Sequence, residues 1–272
     1  MENNTQKLVV VIMGQNCEKF IGMSLESVKD ADTIVYCDGG STDNTLQIVN
    51  GELSGNNDNS IIENKYNQED VAMNGKQRNF YLDYVKKNYK DYWCLVLDAD
   101  EVVEDLSNIK EFIQTAEPSL YSIKMRHLIQ DLSHEDATVN THFVLNRLFK
   151  IDKADIYPEV EHPVLQEKDC QPLATECTTI WHLAYIPNLW DIKKRYENHL
   201  KKSNIHTTDY LKNWYYQHLF GDYPKKQFDP VELPEIILNE FGVDKSELYF
   251  QSRQLEHKHW IDVYHWKDHF KL

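Results

Sequence analysis

Three carboxylates close a short apolar run, in which Tyr92-Trp93-Cys94-Leu95-Val96-Leu97 leads directly into Asp98-Ala99-Asp100-Glu101. Two carboxylates one residue apart can share a divalent cation, and the hard-oxygen preference of Mg²⁺ or Mn²⁺ leaves coordination positions open to phosphate oxygens. Taken alone, so short a pattern reads equally well as a solvated acidic turn. Its context adds weight. An apolar run of this length, with aromatic and β-branched members, reads as a strand covered on both faces. Asp98 and Asp100 then fall just beyond its carboxyl end, where open α/β sheets bind ligands.

Other groups along the chain could serve the same site. Asp38-Gly39-Gly40-Ser41-Thr42-Asp43-Asn44-Thr45 follows a second apolar run directly. It combines paired glycines for a tight turn with helix-capping residues, so it reads either as a capped turn or as a loop that holds a base or ribose through Asp38. Lys76, Arg78 and Asn79 stand near the start of a helical pattern. Cations there oppose the helix dipole unless an anion compensates, and a diphosphate would be such an anion. Further on, Glu159, Glu161 and His162 crowd one loop, and His182 interrupts an apolar strand pattern. In the tail, Tyr264, His265 and His269 could make a metal site or pack a terminal helix.

The elements that must position these groups alternate between strands and helices. Leu8 to Met13 reads as a central first strand, and Phe20, Ile21, Ser24, Leu25 and Val28 as a helix. Thr33 to Cys37 reads as a second strand, so the three make a right-handed parallel βαβ unit. A polar loop is expected over 51–59, a short strand at Ile61-Ile62, and a helix carrying Met73, Gln77, Phe80, Tyr81, Tyr84 and Val85. Past the acidic residues the pattern predicts a helix through Leu106, Ile109, Phe112 and Ile113, then strands at 120–125, 144–150 and 178–186, with a polar break over 131–141. From Leu189 the composition turns aromatic, basic and helical, with a further short helix from Leu233 to Phe241 led by Pro234. The reading is an α/β domain over residues 1–186 and a helical C-terminal extension over 187–272.

Composition narrows the function classes. The 272 residues carry 29 basic and 44 acidic side chains, a net charge of -15, which disfavours nucleic acid and anionic lipid as non-specific partners. A local basic face at Lys193, Lys194, Arg195, Lys201 and Lys202 reads as a solvated helix surface. No run reaches the length of a membrane span and the start lacks the layout of a signal peptide, so the expectation is a cytoplasmic protein, free or peripheral to a membrane. Five cysteines without a Cys-x-x-Cys pair point to free thiols.

Taken together and in order, these signals resemble a family 2 glycosyltransferase of GT-A fold over about residues 7–186. The residues that carry the resemblance are Asn16 and Glu18 after the first strand, Asp38 to Thr45, Arg78-Asn79, Trp93 with Leu97 to Glu101, Arg147-Leu148-Phe149, His162, and Ile180 to Tyr185. The resemblance implies a Rossmann-like mixed sheet flanked by helices. It implies inverting transfer of a sugar from a nucleoside-diphosphate donor, uridine by family default, to a glycan, lipid-linked or protein acceptor. Donor contacts would come from Asn16, Asp38, Arg78 and Asp98, and Mn²⁺ or Mg²⁺ would be held by Asp98, Asp100 and His182. Glu161 or Glu159 would be the general base. Two rival readings are a haloacid dehalogenase-type phosphatase, suggested by the Leu95 to Asp100 pattern, and a nucleotide-sugar-binding module without turnover.

Overall fold

The computed structural model describes residues 5–55, 58–67, 70, 72–129, 132–137, 145–160, 163–167, 170–186 and 224–241. In chain order the elements are β1 (Leu8–Gly14), α1 (Ile21–Ser27), β2 (Thr33–Asp38), α2 (Thr45–Leu53), β3 (Ser60–Glu63), α3 (Met73–Asn88), β4 (Trp93–Asp98), β5 (Glu101–Val103) and α4 (Leu106–Phe112). There follow β6 (Leu120–Ile129), β7 (His134–Asp136), β8 (Asn146–Lys150), β9 (Leu173–Tyr185), β10 (Lys225–Gln227), a 3₁₀ turn at Pro230–Glu232 and α5 (Glu235–Glu240). The chain divides into two units, one of residues 1–126 and 140–182, the other of residues 127–139 and 183–272.

In the first unit β1 lies between β2 and β4, parallel to both, and β3 runs parallel outside β2. On the other flank β8 is antiparallel to β4 and to β6, which makes the sheet mixed. Alternation along the strands sends side chains to two separate cores. Leu8, Val10, Ile12, Tyr36, Leu95 and Leu97 pack with Ile21 and Leu25 of α1, Val49 of α2 and Ile109 of α4. Val9, Val11, Val35, Cys37, Cys94 and Val96 pack with Tyr81, Leu82 and Val85 of α3. Residues Leu8 to Ile12 are wholly buried, which is why the run carries no polar residue on either face. The α/β sheet flanked by helices matches the fold class expected from the sequence.

Register brings the polar residues level. Gly14 pairs with Asp38, and Met13 with Asp98, so the two carboxylates stand at the same edge of the sheet on either side of β1. Gly14 is the residue that lets the edge close. A Cβ there would lie 2.6 Å from Ala99 Cβ and 2.8 Å from Cys17 Sγ.

In the second unit β7 pairs antiparallel with β10, Glu135 opposite Lys226, and the Lys226 ammonium lies 3.7 Å from the Glu135 carboxylate. Ile237 and Leu238 of α5 are buried.

Several local expectations change. α2 takes in Gly51–Leu53, assigned from sequence to a loop, because Leu53 completes the stripe begun by Val49. β7 lies within the stretch expected to be a polar break, and β5, between the acidic turn and α4, is unforeseen. Phe80 is 39% exposed, and Arg78 takes a buried place on α3 instead. The five cysteines are free, as expected. Among the described residues no helix is long and apolar enough to cross a membrane. The helices expected between Leu189 and Tyr215, the basic face, and the His/aromatic tail lie outside the described residues.

Replacing Gly14 by alanine should force Ala99 and Cys17 apart and lower stability by about 1–3 kcal/mol. Urea unfolding measures this, and an unchanged midpoint would show that the edge has slack.

Candidate active site

The acidic turn lies where β4 ends. Asp98 is partly buried, and its carboxylate is held from two sides: Arg78 Nη2 donates to Oδ1 at 2.8 Å and Arg147 Nη2 to Oδ2 at 3.2 Å. Arg147 reaches across from β8, the strand paired with β4, and also donates to Glu101 Oε1. The Asp98 backbone N–H donates to Glu101 Oε2 at 2.9 Å, which ties the turn to itself. Both arginines and Glu101 are buried. Buried charges persist only when paired, and the four groups pair one another.

Their protonation behaviour diverges. Burial alone would raise Asp98, yet Arg78 and then Arg147 outweigh it and hold the carboxyl well below the usual carboxylate range. Burial pushes Glu101 the other way, up to about 8, against the attraction of Arg147 and with the Asp98 charge adding to the rise. Glu101 and Arg147 were not singled out as site residues from sequence. The only signals were that Glu101 continues the acidic run and that Arg147 carries part of the family resemblance.

Asp100 faces a partner from the far end of the unit. β5 pairs antiparallel with β9, Glu101 opposite His182, which sets the His182 Nε2 3.7 Å from Asp100 Oδ1. An ion bound at about 2.1 Å from each would need them no more than roughly 4.2 Å apart, so this spacing admits one. Among the described residues no three His, Cys, Asp or Glu side chains converge as a ready cage. The fit is therefore to a hard cation that takes its remaining ligands from phosphate and water, and the pair that would hold it is Asp100 with His182. Asp98, expected to share the ion, spends its carboxylate on the arginines.

The donor-side loops are stitched into one rim. Asp38 is buried and turns both oxygens onto its own loop: Oδ2 accepts from Gly40 N at 2.7 Å and Ser41 N at 2.8 Å, and Oδ1 from Ser41 Oγ at 2.6 Å. Gly40 sits at φ +87°, where a side chain would be strained. Asn16, exposed and at φ +53°, accepts from Thr42 N at 2.7 Å through Oδ1. Glu18 accepts from Asn44 N at 3.0 Å, and Cys17 N donates to Thr45 Oγ1 at 2.8 Å. Asn16, Asp38 and Asp98 thus line the edge of three adjacent strands. The cations near the start of α3 find anions within the protein itself: Arg78 takes Asp98, and Lys76 takes Asp70 at 2.6 Å. Glu159 is exposed on the loop after β8, while Glu161 and His162 lie outside the described residues.

The chain matches the model of the glycosyl transferase family 2 over residues 9–157. No curated protein matches it. Solved structures of similar shape include Staphylococcus aureus TarS, at 16% identity and TM-score 0.44, covering 80% of this chain and 45% of that one. Another is the mannosyltransferase PcManGT from Pyrobaculum calidifontis in complex with GDP-Man and Mn²⁺, at 12% identity and TM-score 0.45, covering 82% of this chain and 73% of that one. A third is glucosyl-3-phosphoglycerate synthase from Mycobacterium tuberculosis, at 16% identity and TM-score 0.33, covering 45% of this chain and 44% of that one. This chain therefore spans less than half of the TarS chain.

Because folding tightens the hold of Glu101 on its proton, its contribution to stability is complete below its ordinary pKa of 4.5 and is lost as the pH rises towards about 8. Unfolding free energy measured in urea between about pH 5 and pH 8 should fall more steeply for the wild type than for Glu101→Gln. Parallel profiles would mean that Glu101 is ionised throughout.

Proposed function

Because the chain belongs to glycosyl transferase family 2, we propose that it moves a sugar, with inversion, from a nucleoside-diphosphate sugar to an acceptor hydroxyl. The observation that carries this reading is the convergence of Asp98, Asp100, Arg78, Arg147 and His182 at the carboxyl end of β4. Uridine is the default base, and a glycan of the cell surface, lipid-linked or on protein, is the acceptor class proposed.

In this reading the rim formed by Asn16 and the Asp38 loop receives the nucleoside, and Arg78 and Asp98 flank the diphosphate. Asp100 and His182, with Asp98 beside them, would hold a divalent cation, Mn²⁺ or Mg²⁺, which would supply Lewis-acid stabilisation of the charge on the departing nucleoside diphosphate. Arg147 and Arg78 keep the Asp98 carboxylate ionised and fixed, so that the turn presents Asp100 without reorganising. On the acceptor side Glu159 or Glu161 takes the hydroxyl proton as the acceptor oxygen bonds to the anomeric carbon. The electron pair of the broken bond leaves with the diphosphate. The proposed transfer domain is residues 1–186, with 187–272 as a C-terminal extension, in a protein that works in the cytoplasm, free or at a membrane surface. The phosphatase reading loses ground, since its nucleophile would be Asp98, whose oxygens are engaged by two arginines.

Thermal unfolding with UDP, GDP, dTDP, CMP or ADP, each with and without Mn²⁺, tests the donor. A ligand at about a hundred times its dissociation constant stabilises by roughly 2.7 kcal/mol. A Mn²⁺-dependent shift with one nucleoside diphosphate is expected, and no shift with any would leave a module of another kind. Asp100→Ala and His182→Ala should each abolish the Mn²⁺ dependence, whereas Asp98→Ala should also lower the stability of the free protein. Full Mn²⁺ dependence in the first two would move the metal elsewhere.

A further inference from the structure

Helix α3 holds two different parts of the unit with consecutive residues. Arg78 reaches Asp98. Asn79 turns its carboxamide onto the backbone of Tyr157: Nδ2 donates to Tyr157 O at 2.9 Å, and Oδ1 accepts from Tyr157 N at 2.8 Å. One helical turn earlier Gly75 meets the same loop so closely that a Cβ would lie 2.2 Å from Pro158 O and 2.6 Å from Glu159 Cα. The Tyr157 ring is buried edge-on against Tyr81 at 5.9 Å, with the Arg78 guanidinium 5.8 Å from its centroid. A loop with no regular structure of its own has thereby gained, from one side chain, the two main-chain bonds that a neighbouring strand would give it.

We infer that Asn79, with Gly75 beneath the loop, is a positioning residue that fixes Glu159 relative to the acidic turn. The inference rests on the transferase reading, in which the loop after β8 carries the general base. The path is short and made of stated contacts: Asp98 to Arg78, Arg78 to its neighbour Asn79, Asn79 to the Tyr157 backbone, and two residues on to Glu159. Glu159 is exposed, and the bonds that tie its loop to α3 are those of the Tyr157 backbone two residues earlier. The charge of Glu159 is also felt by Lys76 on the same helix. A proton acceptor carried on a loop must stay within hydrogen-bond reach of the acceptor hydroxyl, and a displacement of about 1 Å can cost as much as a hundredfold in rate.

The test uses the full chain, wild type and Asn79→Ala, with Mn²⁺ and UDP-glucose, UDP-N-acetylglucosamine or GDP-mannose. Release of nucleoside diphosphate as the donor sugar passes to water, the acceptor in this assay, gives turnover, calorimetry with UDP or GDP gives affinity, and deuterium exchange of the segment 155–160 reports the loop. Asn79→Ala should speed exchange at Tyr157 and lower turnover by about tenfold or more, while nucleotide affinity stays within about twofold. Gly75→Ala should do the same by pushing the loop outward. Alanine is the better helix former, so α3 itself is not weakened, and this variant carries the test if Asn79→Ala does not fold. Faster exchange with unchanged turnover would overturn the inference, and so would a joint loss of turnover and nucleotide affinity, which a merely structural role would give. A wild type that turns over none of the three donors and shows no Mn²⁺-dependent thermal shift with any of the five nucleotides removes the transferase premise, and the inference with it.

Discussion

A carboxylate clamped between two buried guanidiniums is the constraint on which the first unit depends. Asp98 ends β4, and its two oxygens take one arginine from α3 and one from β8. Both arginines are buried beside it, and leaving one partner of such a pair unmatched is strongly destabilising, on the order of 3–5 kcal/mol. Helix, central strand and antiparallel strand are thus fastened at one point by charge, while the apolar packing beneath sets only their spacing. Glu101 closes the cluster, bonding both to Arg147 and to the backbone of Asp98.

Close approach of backbone does the rest. Gly14 and Gly75 stand where an added methyl group would overlap a neighbour, one against Ala99 of the acidic turn and one against Pro158 of the loop after β8. The β1 and β2 loops interlock through Asn16, Cys17 and Glu18 on one side and Thr42, Asn44 and Thr45 on the other. These short polar side chains satisfy backbone donors that a tight turn would otherwise leave bare. The rim is accordingly a set of small residues meeting backbone at the carboxyl edge of the sheet.

The main strands could be read from the sequence, because runs such as Leu8 to Ile12 and Trp93 to Leu97 are apolar on both faces and so admit one environment. The acidic turn could be read for the same reason, since it follows such a run directly. What the sequence did not disclose was the division of labour among the carboxylates. Asp98 and Asp100 look alike in one dimension, yet successive residues leave a strand end in different directions, and Asp98 meets arginines that lie 20 and 49 positions away while Asp100 meets His182. Asn79 was legible as part of a family resemblance but not as a clamp, because its partner is a backbone and backbones carry no sequence signal. β5 is three residues long and has no periodicity to detect.

The pairing of β5 with β9 has a consequence for how the chain acquires its shape. Arg78 and Asp98 belong to neighbouring elements, so the central parallel strands and their salt bridge can form from a contiguous stretch of chain. Arg147 must wait for β8, and His182 for β9, the last strand of the first unit. Contacts between residues so distant in sequence carry the larger loop-closure cost and tend to form late. A chain made from its N-terminus would therefore hold a nearly finished sheet before Asp100 and His182 come within reach of each other, and their meeting would mark the end of folding.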